Sequence, residues 1–575
     1  MLPTPQPKLR LLIASEADRQ VIYAIRHAVY ADELRQHPIN DLYQLTDSLD
    51  AVNHYVVAKQ DDKLVGFVSV TSPTAKTYSV DKYFDRSVIP YPFDEDLYEI
   101  RLLTVIKTNR ASHVALALMF AAFRWIQSHG GRHIVAICRT DLAVMYQKAG
   151  LQLLGHTATS GQMTYELAVT NVDRLQQQVQ NNYGQYEALR QKLNWQLPFS
   201  YFAPSACYHG GQFFNAIGEE LQTLYKAKQI INADVLDAWF PPSPAVLNIL
   251  QENLAWLLQT SPPTHANGLR KVIAQVRGVS EQCILPGAGS SDLIFLAMRS
   301  LLSPASKVLL LDPCYGEYPH VLEQAIGCQV SRFALCRANE FNVDTEALLA
   351  EIKRGYDLVV LVNPNSPTGV HIPRKTLETM LSQVPITTLV WVDETYIDFV
   401  NAAESLEQFA VTTENVIICK SMSKAYALSG VRVAYLCSSP HWLETLKSLS
   451  PPWAVSLPAQ AAAIAALNDP NYYREKYAQT HSLRAALKQS LLNLGVEEVI
   501  NGVANFLLFY LPDHVTTGEF LAACRHENLF LRDVSNMGKS LGPNAVRIAV
   551  KDAETNNRMV AILEKVLSRV EQPIV

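Results

Sequence analysis

Apolar positions follow two rhythms along the chain, and the change falls near residue 200. Before it, HYVVAKQ (residues 54–60) and KLVGFVSVTS (63–72), split by the polar pair Asp61 and Asp62, predict a β-hairpin. YEIRLLTVI (98–106) predicts another strand, and the apolar spacing across residues 112–129 predicts a helix. Residues 172–195 are polar, rich in glutamine and free of proline, and predict an exposed helical linker. After residue 200 four runs stand out: VLLLDP (308–313), DLVVLVNP (357–364), TLVWVDE (388–394) and NVIICK (415–420). They are rich in Val, Ile and Leu with little alternation, as strands buried on both faces are. Helical patterns between them predict a mostly parallel α/β sheet with right-handed crossovers.

In such sheets ligands bind beyond the carboxyl ends of the strands. The residues there are CYGEY (314–318), NPNSPTG (363–369), DETYIDF (393–399) and SMSKAYALSGVR (421–432). A fifth segment places GAGSS (287–291) directly before an apolar helical pattern. Glycine lets the backbone approach a ligand closely, and a helix N-terminus presents unpaired N–H groups to an anion. The ordered inventory is a phosphate cradle, an aromatic face, an amide and a carboxylate, a lysine flanked by serines, and an arginine.

Composition narrows the setting. A chain of 575 residues exceeds the roughly 250 to 300 at which single cores stop growing, so two or three domains are expected. The formal net charge of −5, without long blocks of either sign, argues against nucleic-acid or membrane-surface partners and leaves small-molecule substrates. No apolar run reaches the ~20 residues of a membrane span, and MLPTPQPKLR at the N-terminus lacks the apolar core of a signal peptide. A cytoplasmic location is expected. Nine cysteines without a CxxC pair or metal-ligand spacing suit packing in a reducing compartment, with no metal site expected.

On these motifs, residues 201–575 resemble the fold-type I pyridoxal 5′-phosphate enzymes of the class I/II aminotransferase group, close to histidinol-phosphate aminotransferases and threonine-phosphate decarboxylases. The resemblance implies a large subdomain at about 270–455, and a small one from the N-terminal arm and about 456–575. It implies that Lys424 is the Schiff-base lysine and that Asp393 pairs with the pyridine nitrogen. Tyr396 and Asn365 would bond the ring oxygen O3′, and Tyr315 would stack on the ring. Ser290, Ser291, Ser421, Ser423 and Arg432 would hold the phosphate, and Arg547 the substrate α-carboxylate. His209 and Asp237 would line the substrate pocket. Ser366 stands where many relatives carry asparagine before PTG, and Ser261 where a tyrosine commonly precedes proline. ADVLDAWFPPSP (233–244) replaces an Asn-rich motif. The implied activity is amino transfer between amino acid and keto acid substrates in a homodimer. Two alternatives stay open: an α-decarboxylase or other lyase, and a non-catalytic protein that binds pyridoxal phosphate or acyl-CoA.

Residues 1–170 resemble the GNAT acyltransferase fold, in its N-acyl amino acid synthase branch, through IRHAVYADEL (25–34), the hairpin ending in GFVSV, YEIRLLTV and MYQKAGLQLLGH (145–156). Residues 171–200 would link the two parts. The resemblance implies acyl-CoA or an acyl carrier thioester as substrate, with Glu99 a candidate base for the amine and Tyr146 a candidate acid for the leaving thiolate. The strand carrying Glu99 would splay from its neighbour. RASHVA (110–115) lacks the glycine usual in the pyrophosphate-binding turn.

Overall fold

The computed structural model describes residues 9–110, 113–203, 210–218, 221 and 223–570, and the chain divides into two units, Met1–Ser205 and Ala206–Val575. In the first unit the short runs form an eight-stranded sheet of order β6-β7-β5-β4-β3-β2-β1-β8. The strands are β1 (Leu9–Ile13), β2 (His54–Gln60), β3 (Lys63–Thr71), β4 (Leu97–Val105), β5 (His133–Arg139), β6 (Gln152–Ser160), β7 (Met163–Asn171) and β8 (Leu193–Trp195). β2 and β3 form the expected hairpin, and its turn residues Asp61 and Asp62 have φ of 49° and 62°. Left-handed conformation at both positions matches the twist of the flanking strands. The helix Val114–Ser128 packs its buried face, including Ala117, Leu118 and Ala121, against β3 and β4.

The segment expected as an exposed linker is part of this unit. It forms helices Val172–Asn181 and Tyr183–Gln191 and strand β8, which pairs in parallel with β1. Val172, Leu175, Val179, Tyr186, Leu189 and Leu193 are buried in the same core as the sheet. The glutamines set the average polarity, but one apolar stripe at three- and four-residue spacing is enough to bury a helix face.

In the second unit the four predicted runs become β11 (Lys307–Asp312), β13 (Leu358–Val362), β14 (Leu389–Asp393) and β15 (Val416–Ser421), paired in parallel. With β9 (Ile231–Asn232) and β10 (Ile284–Gly287) before them, β12 (Gln329–Ala334) among them and β16 (Ala434–Ser438) after, the main sheet has the order β10-β16-β15-β14-β13-β11-β12. Only β10 and β16 run against their neighbours. The four strands formed by the predicted runs are buried apart from Lys307, as their unbroken apolar runs require, whereas the parallel edge strand β12 is largely exposed. A smaller sheet follows, β17 (Glu498–Val499), β18 (Phe506–Tyr510), β20 (Arg532–Asp533) and β21 (Ala545–Ala549), while β19 (Leu529–Phe530) pairs with β9. Residues 233–239 are tied to this C-terminal part: Ala549 N donates to Ala233 O at 3.0 Å, Asn505 Nδ2 to Leu236 O at 3.0 Å, and Trp239 Nε1 to Thr480 Oγ1 at 2.8 Å. Among the described residues no helix is long and apolar enough to cross a membrane, and the eight cysteines are free.

Candidate active site

Parallel strands that end side by side gather their following turns at one edge of the main sheet. There a cavity of about 270 Å³ is lined by Ser290, Ser291, Tyr315, Asp393, Tyr396, Ser421, Ser423, Lys424, Arg432, Arg532 and Arg547, with Ser366 among them. Nine of the residues expected from the sequence thus meet in one space, drawn from chain positions 290 to 432, and Arg547 joins them from β21. His209 lies outside the described residues.

Asp393 ends β14 and is buried. Its Oδ1 accepts from Thr395 N at 3.0 Å and Thr395 Oγ1 at 2.7 Å, and its Oδ2 accepts from Tyr318 Oη at 2.8 Å. Tyr318 Oη in turn accepts from Trp391 Nε1 at 2.8 Å. Burial pushes the Asp393 carboxyl up, against the pull of these hydrogen bonds. Glu317, fully buried, accepts from both Ser291 Oγ and Tyr315 Oη at 3.0 Å, so one carboxylate positions a residue of the glycine-led helix and an aromatic wall.

The helix Ser290–Leu301 starts at Gly289, whose φ is 100°. A Cβ there would stand 2.4 Å from Arg432 Nη2, so the absence of a side chain is what lets the guanidinium close on the helix start. Arg432 Nη1 also donates to Ser423 Oγ at 3.4 Å and Ser429 O at 3.3 Å. Cation, hydroxyls and helix N-terminus together make a cradle for a dianion.

Arg547 is buried, donates to Ser366 Oγ at 3.3 Å and to Asp234 O at 3.2 Å, and its Nε has no partner. Directly across the strand pair stands Arg532, with Asp234 Oδ1 at 3.6 Å. Lys424 Nζ donates to Asp237 Oδ1 at 3.0 Å. Burial is the main force lowering the Lys424 amine, with Arg547 and Arg432 adding to it. At the NPNSPTG turn it is Ser366 that lines the cavity; Asn365 turns its Nδ2 to Pro313 O at 3.2 Å and Thr368 Oγ1 at 3.3 Å, and leaves its Oδ1 without a partner.

Behind the same turns lies a buried ionic cluster. Lys420 Nζ stands 3.7 Å from Glu394, 3.6 Å from Asp398 and 3.7 Å from Glu407, and Arg277 reaches Asp398 at 3.2 Å. Its members alternate along the chain with the cavity residues: Glu394 follows Asp393, Asp398 lies two beyond Tyr396, and Lys420 precedes Ser421. Ser405 Oγ contacts Glu394 Oε2 at 2.5 Å and Glu407 Oε2 at 3.0 Å. Burial, with Glu407 adding to it against Lys420, pushes Glu394 up to about 7.

Sequence reasoning did not pick out Tyr318, Thr395, Glu317 or Arg532. The signal for the first three was their place within the quoted CYGEY and DETYIDF. Arg532 carried only a weak one, an arginine at the start of a short strand.

The donor set suits pyridoxal 5′-phosphate: a lysine amine for its aldehyde, a buried carboxylate for its ring nitrogen, an aromatic wall, and the cradle built around Gly289 for its phosphate. Among the described residues no group of three or more side chains could hold a metal ion.

In the first unit β4 and β5 pair in parallel only from Leu97/His133 to Ile100/Ala136. Beyond that point β4 pairs with β3 alone, its register shifts, and Leu102 takes a φ of 54°. Two cavities open at the splay. One, of about 70 Å³, is apolar and includes Leu116, Met119, Phe120 and Phe123; the other, of about 230 Å³, has a mixed lining that includes Tyr30, Gln36, Lys82 and Arg139 beside Leu102, Leu103 and Ile137. Arg101, Leu102, Leu103, Ile137 and Tyr146 border both. Glu99 borders neither; it is buried and accepts from Ser79 N at 2.7 Å, Val80 N at 3.0 Å and Ser79 Oγ. Burial pushes both the Glu99 carboxyl and the Tyr146 hydroxyl up.

The family model described as aminotransferase class I and II matches residues 237–563, more than half of the chain. Histidinol-phosphate aminotransferase 2 of Ralstonia nicotianae (strain ATCC BAA-1114 / GMI1000) is 30% identical over 313 residues, 54% of this chain and 82% of that protein. Histidinol-phosphate aminotransferase 1 of Cupriavidus pinatubonensis (strain JMP 134 / LMG 1197) is 28% identical over 309 residues, 53% and 80% of the two. Among solved structures, histidinol-phosphate aminotransferase from Sinorhizobium meliloti in complex with pyridoxal-5′-phosphate superposes with a TM-score of 0.55 at 22% identity, covering 64% of this chain and 100% of that one. L-threonine-O-3-phosphate decarboxylase from Porphyromonas gingivalis gives a TM-score of 0.51 at 23% identity, covering 59% and 100%. These structural likenesses carry the fold.

Proposed function

The chain belongs to the class I and II aminotransferase family, and from that premise we propose that its second unit is a pyridoxal-phosphate-dependent aminotransferase for an amino acid or amino-acid-like substrate. The observation that carries this reading is the meeting of Lys424, Asp393, Arg432 and Arg547 around one cavity. When bound, the cofactor supplies an electron-withdrawing ring for charge developing at the substrate α-carbon. Ser290, Ser291, Ser421, Ser423 and Arg432 hold its phosphate. Asp393, kept in place by Tyr318 and Thr395, holds a proton at the ring nitrogen. Tyr396 addresses the ring oxygen and Tyr315 covers a face; the role expected of Asn365 at that oxygen is set aside, because its amide is turned to Pro313 and Thr368 and only Ser366 of that turn lines the cavity.

Arg547 takes the α-carboxylate, and its buried, partnerless Nε is a donor available to that task. A carboxylate fixed there orients the bonds of the α-carbon, and the Lys424 amine moves the proton at that carbon. His209 and Asp237 belong to the substrate side. Incubation of the protein and cofactor with amino acid pools, histidinol phosphate and threonine phosphate, each with a keto acid acceptor, tests the reading. A keto acid from the amino acids or threonine phosphate, or the ketone from histidinol phosphate, formed without carbon dioxide supports it; carbon dioxide released from a carboxylate-bearing substrate in step with amine formation would replace it with an α-decarboxylase.

Five apolar residues on the helix Pro244–Gln259, Leu247, Ile249, Leu254, Trp256 and Leu258, stand exposed. This exposed apolar surface, with Leu247, Leu254 and Leu258 on one side of the helix and Ile249 and Trp256 on the other, supports a homodimer, since a single chain rarely leaves so much apolar surface in water. Light scattering at twice the chain mass is the expected result.

For the first unit the reading is an acyltransferase-like domain that takes acyl-CoA or an acyl carrier thioester at the splay of β4 from β5. The unpaired edge of β4 beside an apolar cavity supports it. Tyr146, bordering both cavities, is the acid for the thiolate, whereas Glu99, enclosed by the Ser79 turn and bordering neither cavity, is out of reach of an amine there and the base role expected of it is withdrawn. Acyl transfer unaffected by Tyr146→Phe would remove the remaining role.

A further inference from the structure

Lys424 is held by a residue from the opposite part of its unit. Asp237 sits in residues 233–239, which are bonded to the C-terminal part through Ala233, Leu236 and Trp239. Lys424 sits on the turn after β15 of the main sheet. Their 3.0 Å bond therefore ties residues 233–239 to the turn that carries Lys424, a residue lining the cavity. The position belongs to ADVLDAWFPPSP, the stretch in which this chain departs from the Asn-rich motif of its resemblance.

Charge around the pair is unequal. Arg432, Arg547 and Lys551 all act on this corner as cations, Asp393, Tyr315 and Tyr396 line the same cavity, and Asp237 is the carboxylate that touches Nζ. Burial opposes ionisation of Asp237, yet Lys424, Ser429 and Lys551 hold its carboxyl below the ordinary range. Lys551 is driven the other way, down to about 8, first by burial and further by Lys424, while Asp237 resists the shift. Lys424 is the amine in contact with this carboxylate, and Lys551 acts on it from farther away.

We propose that Asp237 is a positioning residue that latches Lys424 as its ammonium in the cofactor-free chain and so sets the pH at which the amine becomes free to take the cofactor. The inference rests on the reading of Lys424 as the cofactor-bearing residue. The ammonium first loses a proton to solvent. Neutral Nζ then bonds to the aldehyde carbon, and the aldehyde oxygen leaves as water with the two remaining amine hydrogens. Once Lys424 is so engaged, the partly exposed Asp237 carboxylate is left to solvent and to the more distant charge of Lys551.

The test uses the full-length chain stripped of cofactor. An amine-reactive probe is applied across about pH 6 to 10, and its extent of reaction at Lys424 is read by peptide mass spectrometry. In Asp237→Asn the midpoint for Lys424 falls by about one unit, and uptake of pyridoxal phosphate at about pH 7, followed by absorbance, speeds by about tenfold. Asp237→Glu, which keeps the charge, stays near the parent midpoint. Should Asp237→Asn fail to fold, Asp237→Ser carries the same expectation. An unchanged midpoint in the neutral variants overturns the latch. Normal probe chemistry at Lys424 with no cofactor bond in any variant would instead overturn the reading of Lys424 itself.

Discussion

The two units build their cavities in different ways. In the second, each strand end delivers a polar residue type that chemistry needs, and the pieces recur in order along the chain. In the first, the cavities come from backbone geometry: β4 parts from β5 after Ile100, and mostly apolar side chains line the smaller opening. A site made of rare residue types in ordered turns announces itself in sequence. A site made by two strands diverging leaves almost no compositional mark.

That contrast can be broken most sharply at Lys424. Lys424→Ala in the full chain is expected to lower amino transfer by about 10⁴-fold or more, since residues that act as a unit fail together, while any acyl transfer by the first unit continues. Turnover assays of both reactions on one preparation check it. Next in size is Lys420→Ala. It leaves Glu394 buried without a cation, while Arg277 still reaches Asp398 and Glu407, and is expected to cost about 3–5 kcal/mol of stability, read by denaturant unfolding. Arg547→Lys keeps the charge but loses the fork, and KM for the amino acid should rise about 10- to 100-fold. No single substitution in the first unit is expected to match the loss at Lys424, since there the site is shaped by the strands' divergence and Tyr146 alone supplies a reacting group.

The buried cluster also sets a pH dependence. Glu394 is raised in the folded chain to about 7 from an ordinary 4.5, so the folded state holds the extra proton. A raised acid gives stability that is fully present below its unfolded value and is lost as pH climbs through the folded one. Melting temperature should therefore decline between about pH 5 and pH 8. Glu394→Gln, which cannot ionise, should flatten that slope. The smallest effect concerns the first unit: a long-chain acyl thioester at about 100 times its Kd should raise that unit's melting by roughly 5 °C. Leu116→Trp, which fills the apolar cavity, should abolish the rise.

Much of the second unit was legible because both kinds of pattern agree there. Apolar runs without alternation become the parallel strands, and the motif residues fall just past their ends. What could not be read was support. Tyr318 and Thr395 brace Asp393, and Glu317 braces Ser291 and Tyr315, through contacts that no spacing encodes. Trp391 reaches Tyr318 across 73 residues of chain. Asn365 and Ser366 are neighbours in sequence, yet only the latter faces the cavity, because the amide is spent on Pro313 and Thr368. Residues 172–195 misled through composition: their glutamines outweigh the stripe of Val172, Leu175, Val179, Tyr186 and Leu189 that the core buries.

Borohydride reduction of the cofactor-loaded protein, followed by peptide mapping, tests the central claim most directly. The account predicts one reduced pyridoxal phosphate adduct, on Lys424, absent from Lys424→Ala. An adduct confined to another lysine, or none at all with cofactor in excess, would contradict it.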